Sequence, residues 1–176
     1  MSRILALDFE TACHASDSAC AVGLALVEGG RIVAEDAFLI RPPEREFVFT
    51  YIHGLRWEDV ADAPCFDEAW PRLAPWLEGV DYLAAHNASF DRGVLDACCR
   101  TYRLASVDLP FICTVQLARR VWGIYPTKLP LVCRALGITL NHHDAASDAS
   151  ACAQIVVRAL QDGWEPPREK PGSPRQ

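Results

Sequence analysis

The chain opens on a regular alternation of side chains. After Arg3 the run Ile-Leu-Ala-Leu-Asp-Phe-Glu, ending at Glu10, predicts a strand. Ala19–Glu28 predicts a second strand, Gly29-Gly30 a turn and Arg31–Ile40 a returning third, together a hairpin or meander. Residues 41–62, rich in proline, arginine, glutamate and aromatics, form a connection of 22 residues. That length exceeds the usual connection and makes the segment a candidate substrate-binding loop. Cys65–Leu77 has helical spacing in Phe66, Trp70, Leu73 and Leu77, interrupted by Pro71 and Pro75. Beyond it the pattern predicts a short strand at Tyr82–Ala85 and a helix over Ser89–Tyr102. A brief strand at Phe111–Thr114 then leads into a helix through Trp122. Pro130–Leu136 reads as a short helix ended by Gly137, and the last helix spans Ala145–Gln161. A strand meander followed by alternating helices and strands predicts an α/β fold, a mixed sheet covered by helices.

Composition narrows the class without naming a function. With 176 residues, 51% apolar and 23% charged, the chain suits one globular domain, expected over residues 1–162. Residues 163–176 have the proline-rich, polar composition of a disordered tail. No apolar run reaches the ~20 residues of a membrane span, and no signal peptide is evident, so the default expectation is a cytoplasmic protein. None of the eight cysteines forms Cys-x-x-Cys, which favours small buried thiols over a zinc site or a disulfide framework. The net charge of −6, with two lysines among 17 basic residues, excludes the broad basic field of a duplex-coating protein. An enzyme that grips only the end of a strand needs few phosphate contacts, so nucleic acid stays open as a substrate.

The candidate chemistry lies in four carboxylates at unexpected positions. Ile4, Ala6, Asp8 and Glu10 share one face of the first strand, which stands two acids together at its carboxyl end. Asp91 heads the apolar stripe Leu95, Cys98 and Tyr102, and Asp148 heads the stripe Cys152, Ile155 and Ala159. An acid in a first turn complements the helix dipole, but that does not explain its place on the inward face. Were all four to converge, cations would have to offset their repulsion and desolvation. Hard oxygen ligands suit Mg²⁺ or Mn²⁺, and a pair of such ions is the arrangement that cleaves phosphodiesters. His143, five residues before Asp148, could take a proton from an attacking water.

Asp8-Phe9-Glu10-Thr11, His86-Asn87-Ala88-Ser89-Phe90-Asp91 and His143-x-x-x-x-Asp148 resemble, in order and spacing, the three motifs of the DEDDh exonucleases. That family includes the proofreading subunits of bacterial DNA polymerases, ribonuclease T and oligoribonuclease. Ile52-His53-Gly54-Leu55 and Lys128-Leu129 also look like family segments. The resemblance covers about Arg3 to Ala159 and implies a ribonuclease H-like fold, a mixed sheet of about five strands flanked by helices. It further implies two divalent cations, Mg²⁺ or Mn²⁺, held by Asp8, Glu10, Asp91 and Asp148, with His143 as general base. Thr11, Leu55, Asn87 and Phe90 match positions near the terminal nucleotide, and Lys128 is a phosphate candidate. The implied reaction removes nucleoside 5′-monophosphates from single-stranded or frayed 3′ ends of DNA or RNA. Polymerase association and a homodimer both stay open, as do a non-catalytic binding module and an endonuclease of the wider superfamily. His86 reads as a core histidine, Arg119-Arg120 equally as a solvated helix face or a phosphate contact, and His142 as a solvent-facing loop residue.

Overall fold

A computed structural model describes residues 2–167. Five strands, β1 (Ile4–Thr11), β2 (Ala19–Glu28), β3 (Arg31–Leu39), β4 (Tyr82–Ala85) and β5 (Phe111–Cys113), form one sheet in the order β3-β2-β1-β4-β5. β1, β2 and β3 pair antiparallel as a meander, while β4 and β5 run parallel to β1. The helices are α1 (Thr50–His53), α2 (Trp57–Val60), α3 (Phe66–Leu77), α4 (Ala88–Thr101), α5 (Thr114–Trp122), α6 (Leu129–Leu136) and α7 (Ala145–Gln161). This is the mixed α/β sheet that the alternation predicts. The 41–62 connection is less irregular than expected, since it contains α1 and α2. Both prolines of α3 lie on its exposed side, where the carbonyls they leave unpaired can reach water.

The strand alternation builds two cores. Leu5, Leu7 and Phe9 face one side of the sheet, where Phe66 and Leu73 of α3 and Val94, Leu95 and Cys98 of α4 cover them. Ile4 and Ala6 face the other side, under Leu117 of α5, Val132 of α6 and Cys152, Ile155 and Ala159 of α7. No disulfide forms, and six of the eight thiols are buried, as the absence of Cys-x-x-Cys predicts. Among the described residues no helix is long and apolar enough to cross a membrane.

The C-terminal segment differs in part from the expected disordered tail. Trp164 packs half-buried on the second core, with its backbone N–H donating to the Ala159 carbonyl at 2.9 Å. The Tyr82 hydroxyl donates to the Pro167 carbonyl at 2.6 Å. Trp164 and the Pro167 carbonyl thus hold this segment against the rest of the chain, although its other residues are largely exposed. Residues 168–176 lie outside the described residues.

One contact sets where α7 begins. Gly23 of β2 is the register partner of Asp8, and a Cβ on Gly23 would lie 1.8 Å from the Ala145 carbonyl oxygen and 2.8 Å from the Ala146 nitrogen. Only hydrogen at this position lets the first turn of α7 rest directly on β2 beside Asp8. Gly23→Ala must push backbone, not a flexible side chain. The expected loss is about 1–3 kcal/mol of stability, the usual range for overpacking. Chemical denaturation measures it, and wild-type stability would show that α7 does not rest on this strand.

Candidate active site

Three features of the fold bring the acids together. β1 pairs with β4 only from Ile4 to Ala6, so the two parallel strands part company before Asp8. In the gap, Asp91 of α4 accepts the Phe9 N–H at 3.0 Å, taking an amide for which β4 offers no carbonyl. From the opposite face, α7 docks on Gly23 and delivers Asp148. Ligand oxygens of Asp8, Glu10 and Asp148 then lie within 4.8 Å of one another. Asp91 and Asp148 are 1% and 4% exposed, so both acids occupy the inward stripe despite their charge.

The electrostatics follow from that crowding. Burial raises the Asp8 pKa well above the carboxylate range, and Asp91, Asp148 and Glu10 raise it further. Glu10 is pushed up to about 7, first by burial and then by Asp148 and Asp144. Asp91 is also pushed to about 7 by burial, although the Phe9 amide pulls the other way. Asp148 is raised by burial and drawn down by His142 and by the His143 amide. Three hard oxygen ligands, close together and unable to ionise jointly without compensation, fit a divalent cation.

The loop before α7 is tied at several points. Asp144 caps the helix by accepting the Ser147 N–H at 3.0 Å, and the Ser147 hydroxyl accepts the Asn141 N–H at 2.8 Å. His143 has φ +68°, in the left-handed region. Its N–H donates to Asp148 Oδ2 at 3.1 Å, and its ring stacks on His142 with centroids 3.7 Å apart. His142 is an exposed loop residue, as expected, but its Nδ1 also lies 2.9 Å from Asp148 Oδ2, a contact that the expectation left out. The left-handed turn at His143 folds the chain back, so both histidines face the same carboxylate.

A cleft of about 260 Å³ adjoins the carboxylates, with Glu10, Phe38, His53, Leu55, His143 and Ala145 among its lining residues. His53 fixes one wall. Its Nε2–H donates to the Thr11 carbonyl at 3.1 Å, and its Nδ1 accepts the Leu55 N–H at 3.1 Å. Burial lowers its pKa, in keeping with the neutral ring that this donor–acceptor pair requires. Sequence reasoning missed that clamp, and its only signal was a histidine beside a glycine turn. Thr11 itself is only 6% exposed, so it meets the cleft wall through its carbonyl. Asn87, at the head of α4 with φ 72°, is exposed, and Phe90 is 46% exposed. Lys128, exposed, precedes α6. His86 is a satisfied, partly buried histidine: Nε2–H donates to the Thr127 carbonyl at 2.8 Å, and Nδ1 accepts from the Thr114 hydroxyl at 2.8 Å.

With this geometry in hand, the chain can be set beside known proteins. The RNase_T exonuclease family model matches residues 5–156. The chain belongs to that family. Exodeoxyribonuclease 10 of Escherichia coli (strain K12) is 32% identical over 146 residues, spanning 77% of this chain and 59% of that protein. A PolC-type DNA polymerase III of Bacillus cereus is 33% identical over 141 residues, spanning 77% of this chain but 10% of the polymerase. The chain thus matches only part of these curated relatives. Among solved structures, exonuclease X in complex with 5′-overhanging duplex DNA superposes with a TM-score of 0.75 at 26% identity, over 94% of this chain and 95% of that one. The nuclease domain of 3′hExo, bound to rAMP, shares the fold with a TM-score of 0.78 at 20% identity, covering 92% and 93% of the two chains.

The raised carboxyl pKa values fix the sign of a pH effect. Folding lifts Glu10 from 4.5 to about 7 and Asp91 from 3.8 to about 7, so between those limits the folded state holds protons that the unfolded state has released. Stability from these groups is present below the lower value and is lost as pH rises through the folded one. In chelator, the melting temperature should fall from pH 5 to pH 8, and Mg²⁺ should restore most at pH 8. The decline should be shallower in Glu10→Gln. Identical slopes for the two proteins would mean that Glu10 is not held in this crowded site.

Proposed function

We propose that this chain is a divalent-metal-dependent 3′→5′ exonuclease, which hydrolyses the terminal phosphodiester of a single-stranded or frayed DNA or RNA end and releases nucleoside 5′-monophosphates. The observation that carries the reading is the meeting of Asp8, Glu10 and Asp148 within 4.8 Å beside the Leu55 cleft. Asp8, Glu10, Asp148 and Asp91 would hold two ions, Mg²⁺ or Mn²⁺, with Asp91 partly committed to the Phe9 amide. Bound there, the ions would supply charge to activate a water and to stabilise the leaving oxygen.

The chain's own residues do the rest. Leu55, held in place by His53, packs against the terminal base, and Phe90 and Asn87 border the same nucleotide from the head of α4. Lys128 meets a phosphate. His143 is the general base: burial and the neighbouring His142 lower its pKa, which keeps the imidazole neutral and able to accept a proton near pH 7. His142 orients Asp148 through the Nδ1 contact. As a partner class we propose a polymerase, in line with the PolC-type relatives.

Digestion of 3′-labelled and 5′-labelled oligonucleotides tests the reaction directly. Immediate release of the 3′ label as a mononucleotide, abolished by chelator and restored by Mg²⁺ or Mn²⁺, is the expected result. Internal cuts would point to an endonuclease, and no cleavage to a binding module. Asp8→Asn should lower turnover by about 10³-fold or more, given the scale of lost charge stabilisation.

The two histidines should separate cleanly. His143→Ala is expected to lower kcat by roughly 10²–10⁴, the range for a general base. His142→Ala should lower it by about 10–100-fold and raise the Mg²⁺ concentration required, as when a metal ligand loses its orienting partner. Steady-state kinetics over a Mg²⁺ series measures both, and a reversed order would move the base to His142.

A further inference from the structure

Tyr125 is a large aromatic side chain left 78% exposed, yet it is not loose. The Arg119 guanidinium sits 5.5 Å from its ring centroid, and Arg119 also donates to the Thr127 hydroxyl at 3.0 Å. One face of the ring is thus backed by a cation, and the exposure of the residue leaves the opposite face to solvent. Thr127 is 9% exposed, and its carbonyl accepts the His86 Nε2–H at 2.8 Å. His86 directly precedes Asn87 and α4. The loop bearing Tyr125 is therefore referenced, through a partly buried hydrogen-bond chain, to the helix that carries Asp91.

Charge distinguishes this stretch of the chain. Residues 109–143 contain Arg119, Arg120, Lys128 and Arg134 and no aspartate or glutamate, in a chain with 23 acids and a net charge of −6. On the opposite flank, beyond the cleft, Glu35, Asp36 and Asp144 line a shared hollow, with Asp36 paired to Arg72. The carboxylate cluster stands between the two. A strand with its 3′ nucleotide at Leu55 and its scissile phosphate over the carboxylates would meet Glu35 and Asp144 on the β3 side and Arg119 and Lys128 on the other.

We propose that Tyr125, backed by Arg119, is a stacking platform for a base of the substrate strand upstream of the reactive end. Lys128 takes the backbone phosphate beside it. The proposal rests on the nuclease reading above and adds the path of the strand. Base–aromatic stacking tolerates any sequence, and a cation behind the ring strengthens it, so the platform confers a preference for length over sequence.

The test compares a thymidine dinucleotide with a twelve-residue oligothymidylate, and measures fluorescence anisotropy of the longer strand on the Asp8→Asn protein. Tyr125→Ala should reduce the ratio of kcat/KM, long over short, by about tenfold, and should weaken anisotropy binding by a similar factor, within the span for one stacked base. Tyr125→Phe should keep both, since stacking needs the ring and not the hydroxyl. An unchanged ratio with unchanged binding overturns the platform, as does an equal loss on both substrates, which would put Tyr125 at the reacting nucleotide. If the wild type cleaves neither substrate, the nuclease reading fails, and the anisotropy comparison still decides whether Tyr125 binds the strand.

Discussion

Repulsion among carboxylates at the end of β1 is the constraint around which the molecule is organised. Two unit charges at the 4.8 Å limit that bounds the Asp8, Glu10 and Asp148 oxygens repel by roughly 3 kcal/mol at an effective dielectric of 20. Several such pairs would rival the whole stability of an ordinary domain. The acids stay together because the elements carrying them are fixed by something else. Asp8 and Glu10 ride a strand paired along its length with β2, Asp91 is tied to a main-chain amide, and Asp148 sits on a helix resting against Gly23. Protons or cations must share the space, and the raised pKa values are the protonic form of that requirement.

Much of this was legible in the sequence because the strands and helices obey simple periods. The two-residue repeat of Ile4, Ala6, Asp8 and Glu10 sets those side chains on one face, and the helical stripes led by Asp91 and Asp148 aim inward as their apolar followers require. The pieces that were not legible depend on close approach or on single torsion angles. Nothing local marks Gly23 as the seat of α7, since its partner Ala145 is remote in sequence. Periodicity could not assign His142, because a left-handed residue at position 143 turns the chain where no helix or strand repeat applies. Trp164 was hidden by the prolines and charges around it, since its contact with the second core depends on tertiary packing that no local pattern marks.

The two halves of the sheet contribute different things. The antiparallel half supplies a walled cleft, with His53 bridging the Thr11 carbonyl and the Leu55 amide so that an apolar side chain overhangs it. The parallel half supplies α4 and α5, which follow the carboxyl ends of β4 and β5 almost directly, with Arg119 and Arg120 in the last turn of α5 and Lys128 ahead of α6. The boundary between them is β1, the strand shared by both, and the acids stand on that boundary.

The helices that carry Asp91 and Asp148 belong to opposite cores, one over each face of the sheet. No half-formed domain can assemble the cluster: a chain that has closed only one core holds at most three of the four acids. Asp8 lies on β1 and Asp148 on α7, so the acids can meet only after the whole stretch between these two elements has been made. A cation held by acids from both helices would tie the two cores to each other across the sheet.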